Sequence, residues 1–299
     1  MTPETADGEI DSFLDQRELL FSIVYNMLGT VADTEDVLQE AWLAWSTRHR
    51  GVAATPVENP RAYLVRVCTH LAIARRAAMR RNRETYIGPW LPEPLVAIED
   101  DAAATLERKE SLTMAVLVVL ETLSPLERVV FVLHDVFGFA HGEIAEILDR
   151  SPAAVRQLAV RARRHIHARR PRATSRPDAG AEVAQRLMAV TLGGDLAALL
   201  EALAPGVTLW TDSGGRGVAK SLEPVHGRDR VAALFMAISA DPRPTDLTID
   251  YRYVAGDPCA LIFSGSRPFA LVVIELAPES NLITAIYSIT NPDKMSGIR

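Results

Sequence analysis

Residues 149–152, Asp-Arg-Ser-Pro, impose a tight turn between two stretches of helical periodicity, and this turn constrains the fold more than any other feature of the chain. Before it, Glu143 and Glu146 fall on a polar side while Ile144, Ile147 and Leu148 lie opposite. After it, Ser151 offers a side-chain oxygen as N-cap, and Pro152 takes the first helical position, where its missing N–H costs nothing. In the second helix Val155, Leu158, Ala162 and Ile166 share one face, and Arg156, Gln157, Arg161, Arg163 and Arg164 occupy the other. Residues 140–167 are therefore expected to form a helix-turn-helix, whose second helix can enter a DNA major groove.

Charge supports that reading. From Arg150 to Arg172 there are eight arginines and no acid, on a chain whose formal net charge is −6. Arginine can grip guanine bidentately and glutamine adenine, while further arginines neutralise phosphates. A net acidic chain with its cations gathered in two stretches favours directed contacts over a uniform cationic coat. The second stretch is 59–86, with seven arginines against one acid. There Asn59 can cap a helix, Pro60 can start it, and Tyr63, Leu64, Val67, Leu71 and Ile73 supply apolar positions. Residues 1–58 are the opposite, with 11 acids and three arginines.

In the acidic part, residues 9–29 pattern as one amphipathic helix ending at Gly29. A second helix is expected over 33–46, with Asp33 as its cap, Glu35 and Asp36 at its positive end, and Val37, Ala41 and Ala44/Trp45 on the buried side. Gln39 and Trp42 on its polar face suit a basic protein partner or plain solvation, and the local pattern does not choose. Three prolines between Pro89 and Pro94 exclude helix, so residues 87–104 read as an extended linker, with Trp90 and Leu91 anchored in a groove. Helices resume from 105, and Ser124-Pro125-Leu126-Glu127 is a capping box opening a helix to about Phe137.

The expected organisation is 1–86 and 105–171 as two all-α domains, linkers at 87–104 and 172–179, and a third domain over 180–299. That last domain holds helical stretches at 180–191, 194–203 and 227–240 and a strand at Val207–Thr211. Four alternating runs follow at 246–254, 259–265, 268–276 and 282–290. They spell an α+β domain with a curved antiparallel sheet wrapped around helices, a cone that usually encloses an apolar pocket. Cys68 and Cys259 lie 191 positions apart, which argues against a disulfide framework and for a reducing cytoplasm. No signal peptide or apolar run of about 20 residues is seen, so a soluble intracellular protein is expected.

The order of DTEDVLQEAW, NPRAYLVRVCTHLAIARR and LSPLERVVFVLHDVFGFAHGEIAEILDRSPAAVRQ resembles the extracytoplasmic-function (ECF) sigma factors, promoter-selecting subunits of bacterial RNA polymerase, over about residues 10–168. The tail resembles the SnoaL-like (NTF2-like) fold, and the combination is similar to the SigJ type of sigma factor with a fused C-terminal domain. Trp90-Leu91-Pro92-Glu93-Pro94, Asp212-Ser213-Gly214-Gly215-Arg216 and Asn291-Pro292-Asp293-Lys294-Met295 carry that likeness.

The resemblance implies roles. Asp33, Glu35, Asp36, Gln39, Glu40 and Trp42 would bind core RNA polymerase, through its beta-prime and beta subunits. Arg61, Arg66, His70, Arg75, Arg76, Arg80, Arg81 and Arg83 would hold the promoter −10 element, including melted bases. Ser151, Ala153, Arg156, Gln157, Arg161, Arg163 and Arg164 would read the −35 duplex. Trp90, Leu91, Pro92, Asp212, Gly214, Gly215, Arg216, Asn291, Pro292, Asp293 and Lys294 would form a regulatory contact. The chain departs from the family pattern at Ala74, Ala159, Ser213 and Arg216.

Other readings are weaker. Asp212, His226 and Asp250 could serve an enzyme only if they converged in a pocket. Gly214–Ser221 misses a phosphate loop, because Ala219 replaces the glycine before Lys220 and Pro224 spoils the following helix. His165 and His167 point to different sides of a helix, and no Cys/His spacing fits zinc, so neither a metal nor a cofactor is expected. The main rival is a one-component regulator, a helix-turn-helix with a tail that senses a small-molecule ligand. It leaves the acidic helix and the second basic helix unexplained.

Overall fold

The computed structural model describes residues 10–50, 57–83, 85–96, 112–169, 177–242, 244 and 246–298; the side chains at 49–50, 81–83, 169 and 177–180 lie outside that description. Contacts divide the chain into two units, each taken by itself below. One comprises residues 1–82, 109–112 and 119–168, the other 83–108, 113–118 and 169–299.

The first unit is helical. Its elements are α1 (Arg17–Leu28), α2 (Val31–Arg50), α3 (Pro60–Arg83), the end of α4 (Met114–Leu120), α5 (Pro125–Phe131), α6 (His141–Ile147) and α7 (Pro152–Arg169). Gly29 closes α1 in the left-handed conformation at φ 75°, which glycine adopts without a Cβ penalty. Asn59 Oδ1 accepts the Ala62 N–H at 3.0 Å and Ser124 and Glu127 form the expected capping box, so both proline-started helices begin where their caps dictate.

Four local expectations need correction. The helix expected over 9–29 is interrupted by a turn at Asp15–Gln16 before α1 begins. Asp33 is not a cap, because α2 starts two residues earlier at Val31; instead Asp33 Oδ2 accepts the Thr30 hydroxyl at 2.6 Å within the first turn. On the same helix Leu38 is buried and Ala44 is exposed, so the apolar stripe runs through Val37, Leu38, Ala41 and Trp45. The α-helix expected to reach Phe137 stops at Phe131 and continues as a π-helical turn over Val132–Val136, a geometry that sequence periodicity does not announce.

The core of this unit gathers Leu20, Ile23, Val24 and Met27 of α1, Val37 and Trp45 of α2, and Leu64, Val65 and Cys68 of α3. A buried polar connection crosses this core. Arg128, with no exposed surface, donates from Nε to the Asn26 carbonyl at 2.9 Å and pairs with Glu121, whose other oxygen accepts Arg76 at 3.2 Å. One carboxylate thus serves two guanidiniums away from water, where removing it would leave charge uncompensated.

The second unit contains α8 (Pro177–Gly193), α9 (Leu196–Ala202), α10 (Arg228–Ala240) and six strands: β1 (Leu203–Asp212), β2 (Val225–His226), β3 (Leu247–Val254), β4 (Asp257–Ser264), β5 (Arg267–Leu276) and β6 (Ile283–Ile289). The sheet order is β2-β1-β6-β5-β4-β3. All pairings are antiparallel except β1 with β6, which run parallel, so the sheet is mixed rather than wholly antiparallel. Period-two alternation sends residues to two faces. One face, with Leu209, Val272, Ile274 and Ile286, packs against Leu187, Leu199, Val231 and Phe235 of the helices. The opposite face, with Leu271, Val273, Tyr287 and Ile289, is covered by Leu91, Met114 and Ala115 from earlier in the chain and by Met295 and Ile298. The linker therefore belongs to this core, and Val96 adds an antiparallel bridge to Val254 at the edge strand.

Buried acid sits on that second face. Asp257 accepts the Met114 N–H at 3.1 Å, and burial, with Glu275 nearby, pushes its carboxyl up to about 7. The Tyr287 hydroxyl donates to Glu275 at 3.4 Å, and burial raises its own pKa well above the usual range.

Candidate nucleic-acid interface and linker clamp

Helix α7 is built as a presented helix. Ser151 Oγ accepts the Ala154 N–H at 3.2 Å, fixing its start, and Val155, Leu158, Ala159, Ala162 and Ile166 are buried beneath it. Ala153, Arg156, Gln157, Val160, Arg161 and Arg164 line one shallow open groove along its outer side. Arg161 leans toward Glu127 at 3.3 Å, while Arg156 and Arg164 form no hydrogen bond or ion pair among the described residues. Arg163 does not join this set: its Nε donates to Asp135 at 2.6 Å, on another side of the helix. Val160 does join it, 47% exposed between two pairs of polar side chains. Its signal in the sequence is an apolar residue one turn after Arg156 and one turn before Arg164, out of phase with the core stripe.

The basic face of α3 is largely engaged. Arg66 makes a two-pronged contact with Asp149 (2.8 and 3.0 Å) in the turn before α7, and His70 Nε2 lies 2.7 Å from the Ile147 carbonyl at the end of α6. Arg61 stacks its guanidinium 5.6 Å from the Phe139 ring centre. Arg75 donates to Asp33 at 2.7 Å and pairs with Asp36; the Asp33 hydrogen bond leads in raising its pKa. Arg76 donates to the Met27 carbonyl at 3.0 Å and to Glu121, at 11% side-chain exposure. Arg80 is exposed and has no hydrogen bond or ion pair among the described residues. The side chains of Arg81 and Arg83 lie outside the described residues. Of the six described members of this set, Arg66, His70, Arg75 and Arg76 are thus answered by carboxylates or carbonyls folded against them, and Arg80 is left open.

On α2, Glu35, Asp36, Gln39 and Glu40 are exposed in one stripe, with Glu35 paired to Arg17 at 2.8 Å. Trp42 is half-buried, edge-on to Phe13 at 5.2 Å. Leu43 extends the same stripe at 57% exposure, an apolar residue that periodicity alone assigns to neither face.

The second unit brings the three short signatures together. Asp212, fully buried, accepts the Leu91 N–H at 2.7 Å, the Tyr86 hydroxyl, and Lys294 Nζ at 2.6 Å. Lys294 also donates to the Leu91 carbonyl and lies 4.0 Å over the Trp90 ring and 5.3 Å from that of Tyr86. Asn291 Nδ2 donates to the Tyr86 oxygen at 2.8 Å, and its Oδ1 caps the 3₁₀ turn Pro292–Lys294 through Asp293 N–H. Arg216 pairs with Asp293, and Pro92 is buried beside Leu91. Gly214 is required here: at φ 58° a Cβ would stand 2.5 Å from the Asn291 side chain. A Cβ on Gly217 would lie 2.0 Å from the Thr290 carbonyl oxygen. Gly215 faces Ile87 in the same way. Tyr86 and Gly217 were not expected; a lone tyrosine and a third glycine carry no pattern of their own.

Asp212, His226 and Asp250 do not converge. Asp212 belongs to the clamp, His226 Nδ1 is 3.0 Å from the Thr208 hydroxyl, and Asp250 pairs with Arg252. Among the described residues no group of three His, Cys, Asp or Glu is placed to hold a metal, and no described helix is long and apolar enough to cross a membrane.

Family models described as Sigma-70 region 2 and Sigma-70, region 4 match residues 13–84 and 113–166, which cover α1–α3 and α4 to all but the end of α7. Two helical sigma regions on one chain define a sigma factor. The chain is 36% identical over 301 residues to the ECF RNA polymerase sigma factor SigJ of Mycobacterium tuberculosis (strain ATCC 25618 / H37Rv), covering 97% of this chain and 94% of that one. It is 30% identical over 285 residues to the probable ECF RNA polymerase sigma factor SigI of Mycobacterium tuberculosis (strain CDC 1551 / Oshkosh), covering 95% and 93%. The crystal structure of the Mycobacterium tuberculosis extracytoplasmic function sigma factor SigJ superposes with a TM-score of 0.74 at 34% identity, covering 96% of this chain and 98% of that one. The chain belongs to the ECF RNA polymerase sigma factors, and it directs RNA polymerase to promoters.

Proposed function

We propose that this sigma factor divides its work among three surfaces and regulates itself through the linker. The exposed stripe Glu35, Asp36, Gln39, Glu40 and Trp42 on α2 docks on the beta-prime and beta subunits of core RNA polymerase, with Leu43 as an apolar contact within it. The outer groove of α7, through Ala153, Arg156, Gln157, Arg161 and Arg164, reads the −35 duplex in its major groove. Helix α3 holds the −10 element through Arg80, Arg81 and Arg83 together with Arg61, Arg66 and His70, while Arg75 and Arg76 stay on Asp33, Asp36 and Glu121. The observation that carries this reading is the contrast between the two basic helices. In the α7 groove Arg156 and Arg164 have no ion-pair partner among the described residues, whereas on α3 Arg66 is held by Asp149 in the turn before α7 and His70 by the last carbonyl of α6. Phosphate must displace Asp149 from Arg66, so −10 binding and this packing compete.

The C-terminal domain modulates activity by gripping the segment between the two sigma regions. Asp212, Asn291 and Lys294 hold residues 86–91 through buried hydrogen bonds, and a small molecule in the apolar cavity of that domain adjusts the grip. The chain acts in the cytoplasm by binding rather than by chemistry. In vitro transcription with core polymerase on a promoter library tests this, comparing the full chain with chains ending at 175 or at 290. The full chain should select promoters, and both truncations should alter output from a selected promoter. Unchanged output from both would end the proposal for the tail, and failure to bind core polymerase without DNA would favour a one-component regulator.

A further inference from the structure

The face of the sheet that packs on α8–α10 does not close completely. A cavity of about 120 Å³ remains, walled by Met188, Leu209, Phe235, Ile238, Phe269 and Val272. An apolar cavity of about 150 Å³ takes up benzene, so this slightly smaller space admits nothing larger than a single ring. Four hydroxyls border this space, and their states differ. Thr191 donates to the Leu187 carbonyl and Thr290 to the Val218 carbonyl, each at 2.7 Å. Thr211 and Ser288 are register partners across the parallel β1–β6 pair, so their side chains stand side by side. Neither of their hydroxyls makes a hydrogen bond among the described residues. Lys220, also on the lining, is paired with Asp241, so the rim brings no net charge.

Those features specify a ligand. The walls ask for a flat apolar body of one ring, two adjacent hydroxyls ask for one group that both donates and accepts, and the neutralised lysine disfavours an anion. We propose that this cavity is a binding site for small neutral monocyclic alcohols of the phenol class, with the ligand hydroxyl bridging Thr211 and Ser288. The site adjoins the clamp through the chain itself: Thr211 precedes Asp212, and Thr290 precedes Asn291. The assignment rests on the proposed regulatory role of the tail and names the chemistry that would work it.

Isothermal titration of the full-length chain with phenol and with toluene, its isostere without the hydroxyl, tests the site. Phenol should bind about tenfold more tightly than toluene, the worth of a hydrogen bond of about 1.4 kcal/mol. The Thr211→Val, Ser288→Ala double variant should lose that preference while binding toluene within twofold of wild type, and Ala270→Leu should abolish binding of both. Equal affinities for the two probes in the wild-type chain, or binding of neither, overturns the assignment whether or not the variants fold. Transcription in the presence of phenol separates the two ideas. If phenol binds with the stated preference and output does not change, the site stands and the regulatory reading falls; if the truncations change output but phenol does not bind, the reverse holds.

Discussion

Removing either partner of the Lys294–Asp212 pair should release the linker from the C-terminal domain. The pair is buried, with 7% and no side-chain exposure, and the Nζ–Oδ2 distance is 2.6 Å. Breaking a buried pair by deleting one partner costs about 3–5 kcal/mol, because the survivor is left charged and poorly solvated. Lys294→Met should fall at the lower end, since Asp212 keeps the Leu91 N–H and the Tyr86 hydroxyl. Asp212→Asn should fall at the upper end, since Lys294 then has only the Leu91 carbonyl and the ring faces of Trp90 and Tyr86 among these partners. At about 1.4 kcal/mol per tenfold, local opening becomes roughly a hundred- to a few-thousand-fold more frequent. Hydrogen exchange in the peptide spanning 86–96 reports it, because the Leu91 amide is itself one of the bonds. The double variant should lose less than the sum of the two single variants, by about 0.5–3 kcal/mol. Wild-type protection in both single variants, with the circular dichroism of the folded chain intact, would refute the reasoning.

Three further outcomes follow from the geometry. Arg156→Ala or Gln157→Ala should cost on the order of 1–3 kcal/mol at the −35 element and relax its sequence preference, whereas Arg80→Ala should weaken binding evenly across sequences and flatten the dependence on salt; binding to a −35 library at several salt concentrations checks both. Val160, exposed in the α7 groove, is expected to touch a thymine methyl, so replacing −35 thymines by deoxyuridine should weaken the wild-type chain a few-fold and leave Val160→Ala indifferent. Asp257 has a raised carboxyl pKa of about 7, so its contribution to stability is full below about pH 4 and is lost as pH rises through 7. Asp257→Asn should therefore gain stability relative to wild type on going from pH 5 to pH 8 in urea titrations, and a constant difference would contradict the assigned burial.

Local physics made much of this protein legible in advance. Caps, prolines and terminal glycines act within four residues, so the starts of α3, α5 and α7 and the stop at Gly29 could be placed from the sequence. The four closing strands followed from period two, and three prolines in 89–94 sufficed to exclude helix there. Charge totals located the basic helices. They could not say which cations remain available, because pairing depends on partners 42 to 83 positions away, such as Asp33 for Arg75 and Asp149 for Arg66.

What the amino-acid order determined by itself, then, is most of the elements, the helical and α+β domain types and the polar face of α7. Tertiary structure alone decided the parallel β1–β6 pairing, the burial of Leu91 on the outer face of the sheet, and the meeting of Tyr86 with Asp212 and Asn291, 126 and 205 positions away. Periodicity and capping are short-ranged properties of a chain, whereas a buried charge must find its partner wherever the packed sheet brings one within reach.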